Sequence, residues 1–213
     1  MTEPPFVAED EDAARHREKM QKRKAVQDAE VAGKTIEKGL LLVHTGAGKG
    51  KSTAAFGLLL RMAGHGRPTA VVQFIKGAWS TGERGPLQRL TDADGTPLVE
   101  WHSMGEGFTW ETQDRARDVA ACRRAWNKAL ELLHRPGLGL LVLDELCIAL
   151  RYDYLSVEEV VAALAARDPA LHVVVTGRNA PQALRDAADL VTEMRPEKHH
   201  FAAGVKAQQG IEF

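Results

Sequence analysis

A continuous apolar run, Leu40-Leu41-Leu42-Val43-His44, passes directly into Thr45-Gly46-Ala47-Gly48-Lys49-Gly50-Lys51-Ser52-Thr53, and a helix-forming stretch to Ala63 follows, stopped by Gly64 and Gly66. A short apolar run of this kind reads as a strand buried on both faces. The loop between that strand and the helix is built to hold phosphate. Phosphates repel one another and need many donors in a small space. Glycines let the backbone turn its N–H groups inward where side chains would clash, and the helix adds its unpaired N–H groups and positive end. Lys51 supplies charge to the phosphates and Ser52 a hydroxyl to Mg²⁺. The usual spacing is GxxxxGK[ST]; Thr45 stands at the first glycine position, so the match rests on Thr45, Gly50, Lys51 and Ser52. A turn that merely caps a helix needs neither Lys49 nor Lys51 beside Gly46, Gly48 and Gly50. The segment from Thr45 to Thr53, Ala47 included, therefore reads as an ATP site.

The pattern after the loop continues as strand and helix in alternation. Strands are expected at Thr69–Ile75, Leu98–His102, Leu138–Leu143, Leu171–Val175 and Leu190–Glu193, with a Gly- and charge-rich loop from Gly77 to Gly95. Helices are expected over Glu111–His134, over Ser156–Ala166, where Ser156 and Glu159 have capping-box spacing, and from Pro181 to Ala188. This order predicts an α/β fold, a P-loop NTPase-like, mostly parallel sheet flanked by helices. Residues 1–38 differ in composition: charge of both signs is dense, and Met20, Val26 and Val31 form only a thin apolar stripe over a possible helix from Ala13 to Val31. They are read as a mobile or helical extension able to cover the site, ahead of a nucleotide-binding domain at 39–213.

A second apolar strand ends in two carboxylates, Leu140-Leu141-Val142-Leu143-Asp144-Glu145. In P-loop proteins such a strand is expected beside the first, with its carboxyl end facing the loop, so Ser52, Asp144 and Glu145 are the candidate metal set. Which carboxylate touches the metal stays open at this level. Arg178 follows the strand ending at Val175 and so falls on the same sheet edge, where ligands bind. Arg61 on the first helix, and Lys206 and Gln208 near the C-terminus, are weaker candidates. The His199-His200 pair reads as a hydrogen-bonding or surface feature, since neighbouring histidines seldom reach one metal together.

Bulk properties exclude several classes. A formal net charge of −1 gives no basic footprint for nucleic acid. No apolar stretch approaches the ~20 residues of a membrane span. Met1 to Asp12 is acidic and contains proline, unlike a signal peptide. Cys122 and Cys147 have neither CxxC nor metal spacing and read as buried thiols, which together point to a reducing cytoplasm.

Several stretches resemble one family: the phosphate loop with Ala54-Ala55-Phe56-Gly57, Val71-Val72-Gln73-Phe74-Ile75-Lys76-Gly77, Gly107-Phe108-Thr109-Trp110-Glu111-Thr112, Val142-Leu143-Asp144-Glu145-Leu146, Thr176-Gly177-Arg178, Arg195-Pro196-Glu197-Lys198-His199 and Gly204-Val205-Lys206-Ala207-Gln208-Gln209-Gly210-Ile211. Together they resemble the P-loop type of corrinoid adenosyltransferase, the cob(I)yrinic acid a,c-diamide adenosyltransferase family, from residue 39 onward. The family usually has Asn where Ala47 stands and Thr where Ser52 stands; Ser52 keeps the hydroxyl. The loop between Gly85 and Leu98 is longer than expected, and His200 takes the place of a small residue.

The resemblance implies transfer of the 5′-deoxyadenosyl group of ATP to the Co(I) of a reduced corrinoid, with release of triphosphate. It implies Lys51 and Glu145 in catalysis, with Phe108 and Trp110 as an apolar wedge on the lower face of the corrinoid. It also implies Mg²⁺, a homodimer and an electron-donating flavin protein. The phosphate loop alone fits a P-loop ATPase or kinase, and a nucleotide sensor or corrinoid carrier, equally well.

Overall fold

The computed structural model describes residues 11–74, 82–103 and 114–211. Its contacts divide the chain into two units, Met1–Glu37 and Lys38–Phe213. The first unit holds helix α1, Glu11–Ala32, slightly longer than the helix expected from the sequence. Lys22 pairs with Glu18, Lys24 with Asp28 and Lys34 with Glu30, each four residues apart. Such pairs contribute only about 0.3–0.5 kcal/mol each.

The second unit is a sheet between two helical layers. Among the described residues it contains β1 (Leu41–Thr45), β2 (Thr69–Gln73), β3 (Val99–Ser103), β4 (Leu140–Asp144), β5 (His172–Thr176) and β6 (Leu190–Glu193). Their order is β3-β2-β4-β5-β1-β6, and every neighbouring pair is parallel. One face carries α2 (Lys51–Gly64) and α3 (Arg84–Gln88); Phe56, Leu59 and Leu87 pack there on Val71, Trp101, Val142 and Val174. The opposite face carries α4 (Arg115–Leu133), α5 (Leu146–Arg151), α6 (Val157–Ala165) and α7 (Gln182–Ala187). Trp126, Leu132, Leu146, Leu164 and Leu184 pack there on Val43, Val72, Leu141, Leu143 and Val175. Alternate residues of one strand thus serve opposite layers, which is why β2 and β4 are buried throughout while the edge strand β6 is exposed.

The sheet order corrects one expectation. The carboxylate-bearing strand β4 does not lie beside β1, because β5 stands between them. The crossover through α2 carries the chain from β1 past two strand positions to β2, and β5 and β4 fill those positions later. Two helices were also not expected: α3, inside the stretch read as loop, and α5, whose Leu146-Cys147-Ile148-Ala149-Leu150 is too apolar to show a helical stripe. α4 begins at Arg115, where Asp114 accepts the N–H of Arg117 at 3.1 Å. Ser156 caps α6 by accepting the N–H of Glu159 at 3.2 Å. The Glu159 carboxylate does not complete the box; it accepts the Trp126 indole N–H at 2.9 Å and pairs with Arg123.

Glu100 on β3 accepts hydrogen bonds from Arg135, just beyond α4, and from His102. The Arg135 hydrogen bond, chiefly, holds its carboxyl at about 2, below the usual 4.5. A depressed carboxyl stabilises the fold above its unfolded value and loses that contribution as pH falls through the folded one. Glu100→Gln is therefore expected to be less stable than the parent at pH 7, by about 1 kcal/mol or less because the pair is partly solvated. In urea unfolding the difference should close between pH 4.5 and about 2.

Candidate active site

The carboxyl ends of the parallel strands all point to one edge of the sheet, and there the loop from Gly46 to Gly50 joins β1 to α2. Gly46 and Gly50 have φ of +96° and +101°, values open to glycine. The loop rests on the backbone just after β6. The Gly48 N–H donates to the Met194 carbonyl at 2.7 Å and the Met194 N–H donates to the Thr45 carbonyl at 2.9 Å. A Cβ on Gly46 or Gly48 would lie 2.4 or 2.7 Å from the Met194 oxygen. These glycines are thus required by the strand behind the loop as well as by any ligand in front of it.

Lys51 opens α2 and its ammonium curls back to donate to the carbonyls of Gly48 at 2.6 Å and Gly46 at 3.0 Å. Burial lowers its pKa, the Glu145 carboxylate opposes that shift, and the positive charges of Arg178 and Lys49 add to it. Lys49, Lys51, Arg178 and Glu145 therefore share one electrostatic neighbourhood. A cleft of about 850 Å³ runs in front of the loop, walled by Gly48 to Thr53, Glu145 and Arg178 on its polar side. Its apolar side is formed by Phe56, Leu60, Leu87, Ile148 and Tyr152.

Asp144, at the end of β4, has no exposed surface. Its Oδ1 accepts the hydroxyls of Ser52 at 2.7 Å and Thr176 at 2.8 Å, and its Oδ2 accepts the Gln73 amide N–H at 3.0 Å. Glu145 comes next, with φ of 61°, the left-handed conformation costly for a residue with a side chain. That turn aims Glu145 along the cleft wall, and its N–H donates to the Thr176 hydroxyl at 2.9 Å. Gly177, with φ of +137°, leaves room for Cys147, whose Cβ would stand 2.7 Å from an added Cβ. Arg178 can then reach the cleft.

The structure brings together Gly48, Lys49, Gly50, Lys51, Ser52, Thr53, Glu145 and Arg178 in one cleft, with Asp144 directly behind Ser52. The Thr45 side chain is turned inward; its Oγ1 accepts the Ala180 N–H at 3.0 Å and so ties the loop after β5 to β1. Arg61 is exposed and does not line the cleft. The Gln208 amide N–H donates to the Lys206 carbonyl at 2.9 Å. The rings of His199 and His200 stack at 4.9 Å, and His199 Nδ1 accepts the Phe201 N–H at 3.1 Å. Phe108 and Trp110 lie outside the described residues. Sequence reasoning missed Gln73, Thr176 and Met194. The first two stood inside stretches that carry the family resemblance, and each is a polar residue in or just after an apolar strand, but neither was given a role. Met194 acts through its backbone and left no signal.

Cys122 and Cys147 are buried, and burial pushes both thiols up to about 12. No helix among the described residues is long and apolar enough to cross a membrane.

Gly48→Ala is expected to displace the loop from Met194, since a backbone carbonyl cannot swing aside as a side chain can. Titration calorimetry with ATP should give a dissociation constant raised about tenfold or more, corresponding to about 1.4 kcal/mol per tenfold.

Residues 37–213 match the family model described as ATP:corrinoid adenosyltransferase BtuR/CobO/CobP, and residues 1–31 match one described as the N-terminal part of cob(I)alamin adenosyltransferase. The chain is 54% identical to a corrinoid adenosyltransferase of a Sinorhizobium species, over 96% of this chain and 94% of that one. It is 54% identical to the corrinoid adenosyltransferase of Pseudomonas aeruginosa, over 93% and 96% of the two chains. With the corrinoid adenosyltransferase CobA of Salmonella typhimurium it shares 48% identity over 93% and 98%. A phosphate loop, a carboxylate behind its serine and a broad apolar wall in one cleft accord with these matches: the chain belongs to the ATP:corrinoid adenosyltransferase family.

Proposed function

We propose that this enzyme transfers the 5′-deoxyadenosyl group of ATP to the Co(I) centre of a reduced corrinoid and releases triphosphate. The observation that carries the reading is the two-sided cleft, cationic along the phosphate loop and apolar along Leu60, Leu87, Ile148 and Tyr152. Hydrolysis of a terminal phosphate needs room only for water; a large apolar acceptor needs such a wall.

In the reaction a Co–C5′ bond forms and the C5′–O bond breaks. Co(I) supplies the electron pair, and the leaving oxygen departs with the triphosphate. The nucleophile is already strong, so no general base is required. What remains is to hold the leaving anion and place C5′. Lys51, Lys49, Arg178 and the loop N–H groups are the candidates for the first task. Placement can contribute up to ~7–11 kcal/mol in favourable cases.

The oxygen donors present fit Mg²⁺. The Ser52 hydroxyl donates its hydrogen bond to Asp144, which leaves its lone pairs for a cation, and Glu145 lines the same cleft. Mg²⁺ is held by few protein groups plus phosphate and water. We assign direct contact to Ser52 and Glu145. Asp144, already accepting three hydrogen bonds, orients Ser52 from behind. Bound there, Mg²⁺ would offset the charge of the departing triphosphate. Phe108 and Trp110 are assigned to closing the lower corrinoid face, which eases reduction by keeping an axial donor away. A reduced flavin protein as electron donor, a homodimer and a cytoplasmic setting complete the reading.

The test is anaerobic. Reduced cobalamin, ATP and Mg²⁺ are mixed with the protein, and the spectrum and phosphate products are followed together. A light-sensitive adenosyl-corrinoid with stoichiometric triphosphate is expected. ADP formation with the corrinoid unchanged would overturn the reading. Lys51→Ala should lower kcat by about 10²–10³, the scale seen when one donor to a developing anion is removed.

A further inference from the structure

We infer that Gln73 is a positioning residue for the metal–phosphate site, acting through Asp144 and Ser52 from a strand outside the phosphate loop. The inference rests on the Mg²⁺ reading above. Gln73 ends β2 and is 4% exposed. Its amide orientation is fixed by its neighbours. The indole N–H of Trp101 can only donate, and it lies 3.0 Å from the Gln73 side-chain oxygen. The Ser103 hydroxyl donates to the same oxygen at 2.9 Å. The amide N–H must then face the other way, and it meets Asp144 Oδ2 at 3.0 Å.

The result is a chain of hydrogen bonds across the sheet that converges on Asp144: Trp101 and Ser103 on β3 donate to Gln73 on β2, Gln73 donates to Asp144 on β4, and Ser52 on α2 donates to the same carboxylate from the other side. Asp144 Oδ1 is taken by two hydroxyls, whereas Gln73 is the partner that holds Oδ2. Without it the carboxylate could rotate about its own axis, and the Ser52 hydroxyl would lose a fixed acceptor. Gln73 is buried and does not line the cleft, so its effect must appear in how well Ser52 presents its oxygen to the cation. The Trp101 N–H also lies 3.2 Å from Ser103 Oγ, so an apolar residue at position 73 leaves these two donors with each other.

The experiment measures binding by titration calorimetry for ATP with Mg²⁺ and for ATP with a chelator, in the parent, Gln73→Met and Ser52→Ala. Gln73→Met is expected to weaken Mg²⁺-dependent ATP binding about tenfold while changing metal-free ATP binding less than about twofold. In turnover the KM for ATP should rise and the KM for the corrinoid should not. Equal loss with and without Mg²⁺ would make Gln73 merely structural and overturn the inference, as would no loss at all. Ser52→Ala separates the two levels. If it shows the Mg²⁺-specific loss and Gln73→Met does not, the relay alone fails; if Ser52→Ala shows none, the metal reading fails and takes the relay with it. Should Gln73→Met not fold, Gln73→Asn keeps a polar side chain too short to reach Asp144 and is read by the same criteria.

Discussion

A carboxylate removed from water must have its oxygens occupied, and meeting that demand at Asp144 organises the functional end of this sheet. A charge buried without partners costs several kcal/mol or neutralises. The three donors that Asp144 accepts come from three different elements: Ser52 on α2, Gln73 on β2 and Thr176 on β5. Each bond to an ionised acceptor contributes on the order of 1.5–3 kcal/mol and fixes where its donor points. The network therefore locks the first turn of α2 to the middle of the sheet. This is why the interposed strand β5 does not separate the carboxylate from the loop: Thr176 closes the gap laterally while Ser52 closes it from above.

A second constraint works from the opposite side. The phosphate loop has a floor, the Met194 backbone, which accepts from Gly48 and approaches too closely for any Cβ at Gly46 or Gly48. With its back fixed on Met194, the loop lines the cleft from Gly48 to Thr53. Lys51 shows the electrostatic consequence. Burial alone disfavours its charge, Glu145 restores part of it, and Arg178 and Lys49 press against it. Cations that repel one another across a shared cleft are a setting that a polyanion would relieve.

Much of this was legible in the sequence because it depends on local pattern. The loop's spacing, the apolar runs of β1 and β4 and the paired carboxylates after β4 all place groups by chain neighbourhood, and the structure puts Lys51, Ser52, Asp144, Glu145 and Arg178 at one sheet edge. What was not legible depends on lateral order. Strand neighbours cannot be read from strand sequences, so β4 was expected beside β1. For the same reason Gln73 and Thr176 gave no hint that they share a carboxylate, since they are 103 residues apart in sequence, 176 − 73, and meet only through β4. Thr45 illustrates the converse. It sits at the position a pattern assigns to the ligand, yet its hydroxyl is used inside the fold on the Ala180 N–H. A residue's place in a motif fixes its backbone, and its neighbours in space decide its side chain.

The left-handed backbone at Glu145 fits this division of labour between two adjacent carboxylates. A regular strand would send residues 144 and 145 to opposite faces of the sheet, one toward each helical layer. The pair would then not both face the loop side of the strand edge, where the cleft opens. Turning the chain at Glu145 ends β4, starts α5 and keeps both carboxylates on the loop side: Asp144 inward against Ser52, Glu145 outward along the cleft. The conformation costs on the order of 1–3 kcal/mol, offset in part by the bond from the Glu145 N–H to Thr176. Thr176 thus serves the two acidic residues with one hydroxyl, donating to the Asp144 carboxylate and accepting the Glu145 backbone N–H. Because a hydroxyl that donates along one direction presents its lone pairs along others, one oxygen ties the Asp144 carboxylate to the backbone turn at Glu145. The two acidic residues form a single unit with unequal settings, one buried against Ser52 and one lining the cleft.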